Sequence, residues 1–271
     1  MKYYGPELHI AASTDIGLGS NNNEDAYLIG VDFTINDCTT IPFHSPAGVV
    51  LAVADRKSGE NVCEITSSLA MSAVREFFLN HLPPVLPLNP LSLRKISSIV
   101  KDSILFADSR IKEHAQINRE TRSMCTSVVL AWILGNNTYV SWCGDSRAYH
   151  FRKGKDLIRL TYDHNRLREI LAEDSVLTAE SFERPVKNII TEYVGDTNTV
   201  PRPYFNGIPL MKGDVLLLCS VGINDLLPDS EIKAILENYP DIDVCKDELI
   251  KAANRAGGFD NCTVVLAQRI G

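Results

Sequence analysis

Three apolar segments, 127–133, 138–142 and 147–151, follow one another across two four-residue gaps, marked by Gly135-Asn136-Asn137 and Gly144-Asp145. Parallel neighbours need a crossover of a dozen or more residues, so gaps this short force antiparallel pairing. Gly, Asn and Asp are the residues that tight hairpin turns demand. An antiparallel sheet therefore sits in the middle of the chain.

Other short segments rich in apolar or β-branched residues read as strands at 9–13, 27–31, 49–54, 215–220 and 262–268. Helical spacing appears at 60–79, through Val62, Ile65, Leu69, Val74, Phe77 and Phe78. It recurs at 91–118, through Ile96, Val100, Ile104, Leu105 and Ile111. Pro83, Pro84, Pro87 and Pro90 break the chain between these two helices. Two more helices are predicted at 229–237 and 244–255, and a polar, mixed region occupies 165–206. Strands precede and follow the helices, so the pattern is α+β: two antiparallel sheets with helices packed outside them.

The longest apolar run, 47–54, is far short of the roughly 20 residues that cross a bilayer, so no membrane span is expected. Residues 1–6 carry no basic-then-apolar leader pattern. Net charge is −7 and no basic block occurs, which argues against nucleic acid as a partner. The seven cysteines lack zinc-ligand spacing, and several lie in apolar runs. They read as buried reduced thiols, which points to the cytoplasm.

Acidic residues recur after or between strands: Glu24-Asp25, Asp55, Asp145 and Asp260. One such residue alone reads as a turn former. Together they can gather at one sheet edge, where they would repel unless cations or protons intervened. Hard divalent cations such as magnesium or manganese take oxygen ligands of this kind. Asp163-His164 reads as structural, Trp142 and Tyr149 as core. Ser220 lacks the frame of a nucleophile elbow, and Gly17-Leu18-Gly19 lacks the third glycine of a dinucleotide site.

Six words occur in order: Asn23-Glu24-Asp25-Ala26, Ala52-Val53-Ala54-Asp55, Gly144-Asp145-Ser146-Arg147-Ala148-Tyr149, Leu160-Thr161-Tyr162-Asp163-His164, Gly213-Asp214 through Ser220, and Gly258-Phe259-Asp260-Asn261 through Val265. The chain strongly resembles the metal-dependent serine/threonine protein phosphatases of type 2C (PPM), from about residue 8 to 270. Leu177-Thr178, Asn188 to Thr191 and Val194-Gly195 are similar to the flap of bacterial members, here about 165–206. The resemblance implies a four-layer α-β-β-α sandwich and one phosphatase-like domain over 1–271. It implies one or two manganese or magnesium ions, and a phosphoprotein or a signalling protein as partner to a monomer. By the same resemblance Asp55 bridges two metals that hold a water, Asp260 is a ligand of the first and Glu24 of the second. Asp25 stands in the outer shell and Asp145 serves a third, weaker metal.

Three positions depart from the family pattern. Where the family has Ser-Asp-Gly, this chain has Ser220-Val221-Gly222, and Val221 has no ligand atom in its side chain. The Gly after the bridging Asp, whose carbonyl meets the second metal, is Arg56. The Arg that grips substrate phosphate is Ser20. These changes make the site one unit more positive than a typical member. Arg56, with Lys57, either replaces a metal charge and the missing phosphate-gripping Arg or points to solvent. The expected function is a PPM-type domain that acts on or binds phosphoserine and phosphothreonine proteins with hydrolysis weakened or lost. The alternative is an active enzyme with an altered metal site.

Overall fold

The computed structural model describes residues 7–31, 34–35, 40–41, 48–56, 65–81, 91–117, 125–166, 170 and 189–271. Lys57, Cys38, Cys63, the start of the helix predicted from 60, the proline break and most of the flap-like segment lie outside these residues.

Among the described residues twelve strands build two six-stranded sheets, and their pairings are antiparallel. The strands are β1 (Leu8–Asp15), β2 (Ala26–Val31), β3 (Thr34–Ile35), β4 (Thr40–Ile41), β5 (Val49–Arg56), β6 (Thr126–Leu134), β7 (Asn137–Cys143), β8 (Arg147–Phe151), β9 (Ile158–Arg159), β10 (Tyr204–Pro209), β11 (Val215–Cys219) and β12 (Cys262–Arg269). One sheet has the order β4-β1-β12-β11-β8-β9, the other β10-β7-β6-β5-β2-β3. The helices are α1 (Thr66–His81), α2 (Leu93–Ile117), α3 (Val221–Asn224), α4 (Asp229–Asn238) and α5 (Ile242–Arg255).

The side-chain alternation of a strand explains the layers. Along β5, Val50, Ala52 and Ala54 pack with Ala70, Val74 and Phe78 of α1 and Val100 and Ile104 of α2. The intervening Val49, Leu51 and Val53 meet Leu216 and Leu218 of β11 and Val265 of β12 between the sheets. On the far side, Leu217, Val264 and Leu266 pack with Ile232, Ile235, Leu249 and Ala253 of α4 and α5. Because both faces of β5 and β6 are covered, each strand is apolar almost throughout, as a half-buried strand would not be. The result is the predicted α-β-β-α sandwich.

The predicted strands and helices stand within a few residues of their expected limits. The polar region 165–206 reaches into β10, which pairs with β7 and extends its sheet. Trp142 and Tyr149 are core residues, and Cys143, Cys219, Cys245 and Cys262 are buried thiols in no disulfide. Asp163 accepts hydrogen bonds from Arg147 and Arg159 and fastens β8 to the following chain. Among the described residues no helix is long and apolar enough to cross a membrane.

Candidate active site

The two sheets meet at an end where strand alternation aims polar residues into the gap. Asp55 continues the inward series Val49, Leu51, Val53, and Thr263 that of Val265 and Ala267. Ser220 continues the inward series of Leu216 and Leu218. The β2–β5 register pairs Ala26 with Ala54, so one step beyond it Asp25 faces Asp55. Like charges directly opposite one another are unfavourable.

Asp55 is buried, and its Oδ2 accepts a 2.8 Å hydrogen bond from the Val221 amide. That bond ties α3, at the end of one sheet, to the end of β5 in the other. The Asp55 carbonyl accepts from the Thr126 hydroxyl at 2.8 Å. Burial raises the Asp55 carboxyl well above the ordinary range, helped by the charges of Asp25, Asp260 and Asp145 and opposed by the Val221 amide. Burial likewise pushes Asp25 up to about 7. The Thr263 and Ser220 hydroxyls approach Asp25 and pull against that shift, yet among the described residues neither of its buried oxygens has a bonded donor. Asp260 is raised by burial, with Glu24 and Asp225 adding to the effect and the Asn261 amide opposing it.

Asn261 organises the loop that carries Glu24. Its Nδ2 donates to the carbonyls of Ile16 and Asn22 at 2.8 and 2.9 Å, and its Oδ1 accepts from the Glu24 amide at 2.7 Å. α3 presses against Asn261 itself: a Cβ on Gly222 would stand 2.0 Å from the Asn261 carbonyl oxygen. Glycine is therefore required there for close approach.

Two steps beyond the Ala26–Ala54 pair, the same register sets Glu24 opposite Arg56. The Arg56 guanidinium donates through Nη1 to Glu24 Oε1, and the side chains are only 10% and 24% exposed. Arg56 does not point to solvent. Ser20 lies in the β1–β2 loop, and Asp145 in the bend between β7 and β8, where its charge reaches Asp55. Thus Glu24, Asp25, Asp55, Asp145 and Asp260 come together, joined by Arg56 and by the Val221 amide. Sequence reading missed Asp225, which follows Val221 by one helical turn, its amide donating to the Val221 carbonyl at 2.9 Å. The four-residue spacing was the available signal.

The family model for "Protein phosphatase 2C" matches residues 30–169, half of the chain. The chain belongs to the protein phosphatase 2C family. The serine/threonine phosphatase Stp of Listeria monocytogenes is 28% identical over 262 residues, spanning 97% of this chain and 96% of that protein. The crystal structure of the serine/threonine phosphatase Stp1 from Staphylococcus aureus superposes with a TM-score of 0.81 at 26% identity, covering 98% of this chain and 97% of Stp1. The catalytic domain of the phosphatase PstP, solved with two manganese ions, superposes with a TM-score of 0.74 at 26% identity, covering 98% and 99% of the two chains.

Against that family the donor set is only partly kept. The buried oxygens of Asp25 lack a donor, and Asp55 and Asp260 offer hard carboxylate oxygens nearby. Glu24, by contrast, is held by a guanidinium, and position 221 offers an amide in place of a carboxylate. Among the described residues no group of three or more His, Cys, Asp or Glu is disposed to hold an ion as it stands.

Proposed function

We propose that residues 1–271 form one PPM-type phosphatase-like domain that engages phosphoserine and phosphothreonine proteins, with metal-dependent hydrolysis weakened or lost. The observation that carries this reading is the Arg56–Glu24 ion pair. It sets a fixed monovalent cation on the carboxylate that the family resemblance gives to the second metal. Val221 removes a further acid from the same cleft.

A bound divalent cation supplies Lewis acidity and an activated water in this chemistry. The chain's own groups do the rest. The planar Arg56 fork matches two phosphoryl oxygens. The Val221 amide fixes Asp55 in one orientation. Without an ion, burial raises the carboxyls of Asp25 and Asp55 above the ordinary range, so each gives up its proton less readily than an exposed aspartate. Lys57 is proposed to assist Arg56, and Asp145 and Asp260 to tune the cleft's charge.

A second reading, an active manganese- or magnesium-dependent phosphatase, draws support from the family match and from the retained Asp25, Asp55, Asp145 and Asp260. Turnover separates the two. The purified protein, given an aryl phosphate and a phosphothreonine peptide in millimolar manganese and then in chelator, is expected to turn over below about 0.1 s⁻¹. Peptide binding is expected to persist. Manganese-dependent turnover at ordinary enzyme rates that vanishes in Asp55→Asn would sink the weakened-hydrolysis reading.

A further inference from the structure

The residue that holds Arg56 is the residue a cation would need. The register favours this conflict: extended two steps past its last pair, Ala26–Ala54, it brings position 56 opposite Glu24, where the ion pair forms. Arginine stays charged at any physiological pH, so it cannot yield by losing a proton. A dication and the guanidinium therefore compete for Glu24, and each raises the cost of the other through like-charge repulsion.

We propose that the Arg56–Glu24 pair is a latch released by a phosphoryl anion. A phosphoryl group draws the guanidinium off Glu24, and the freed carboxylate then joins Asp55 and Asp260 in taking a divalent cation. The inference rests on the reading that this cleft receives phosphorylated side chains.

Three observations favour the exchange. Glu24 meets Arg56 at Nη1 with a single negative charge, whereas a phosphoryl dianion brings two charges and a geometry matched to the guanidinium. The pair is mostly withdrawn from water, so an anion that replaces Glu24 gains a partner already stripped of solvent. Glu24 lies beside Asp260, its amide donating at 2.7 Å to the side chain of Asn261, the next residue. Once Arg56 turns to the phosphoryl group, Glu24 and Asp260 face each other uncompensated, and a cation relieves them. Linkage then makes the coupling mutual: the anion tightens cation binding by the factor with which the cation tightens anion binding.

Calorimetry on the full chain tests this, using manganese and a non-hydrolysable phosphonate analogue of a phosphothreonine peptide. Saturating peptide is expected to tighten manganese binding by about 10-fold or more, within the usual range of such couplings. Arg56→Gln should bind manganese more tightly without peptide and lose the coupling. Glu24→Gln should bind peptide more tightly without manganese, again uncoupled. The variants move opposite affinities, so a shared folding defect cannot mimic both. Equal manganese affinity with and without bound peptide, or no manganese uptake in either arm, would overturn the latch and leave phosphopeptide recognition standing. Absence of peptide binding in every arm would instead overturn the functional reading beneath it, and the latch with it.

Discussion

Exchanging Arg56 for Gly and Val221 for Asp together is expected to raise manganese affinity by about 100-fold or more and to bring measurable turnover of an aryl phosphate. The first change frees Glu24 from the guanidinium that now pairs with it. It also removes a positive charge from a cation's immediate surroundings. Two unit charges 4 Å apart interact by about 4 kcal/mol at an effective dielectric near 20, and a dication doubles the product. The second change restores a carboxylate beside Asp55 and Asp260. A hundredfold gain corresponds to about 2.7 kcal/mol, well inside what these charges can supply. The effects should be non-additive, because both act on the same few carboxylates. The Val221 amide still has to hold Asp55 at Oδ2, and backbone donation survives the substitution. Equal affinity in the double variant and the native chain, measured by calorimetry with folding verified by circular dichroism, would remove the charge account.

The second large effect concerns pH. In chelator the protein should lose stability as pH rises from about 4 to about 7. Asp25 carries the sign: its carboxyl is pushed up to about 7 from an ordinary value of 3.8, chiefly by burial. Between those values the folded chain binds more protons than the unfolded one, and stability falls with rising pH. The span is about three units, so the loss approaches roughly 4 kcal/mol at 1.36 kcal/mol per unit. Asp55 is shifted in the same direction for the same reason and steepens the trend. Below pH 4 a different group takes over. Asp214 is buried, which opposes its ionisation, yet Arg152 and His150 outweigh burial and hold it below the ordinary carboxylate range. Its contribution disappears as acid protonates it. Thermal melts in chelator across pH 4 to 8 read the trend directly. Asp25→Asn should flatten the slope and raise the melting temperature at pH 7.5. A native melting temperature that climbs steadily from pH 5 to 7.5 in chelator would contradict the burial argument.

The layered fold was legible because its central strands obey simple patterns. β5 and β6 are apolar along nearly their whole length, and β6 and β7 are joined by a turn with Gly135 at positive φ. What escaped was short or compositionally mixed. β3, β4 and β9 have two residues each, too few to show a period of two. β10 contains Asn206, Gly207 and Pro209, and it tolerates them because it is the edge strand beside β7. α3 spans one turn and carries no helical signature of its own.

The site divides the same way. Acids at strand ends, and three departures from the family pattern, could be read from the chain. The pairing of Arg56 with Glu24 could not, because it depends on register: β2 and β5 align so that the last described residue of one faces the loop before the other. The surroundings of Asp25 were equally hidden, since the Ser220 and Thr263 hydroxyls that approach it come from the opposite sheet. Local sequence does not encode which sheet will cover a turn.

The central claim is that a guanidinium stands where a second cation would otherwise bind. Titration of the native chain with manganese at neutral pH, without phosphorylated ligand, measures this most directly. The account predicts at most one ion per chain, bound with no better than roughly millimolar affinity, near −4 kcal/mol. Two ions bound at micromolar affinity would contradict it.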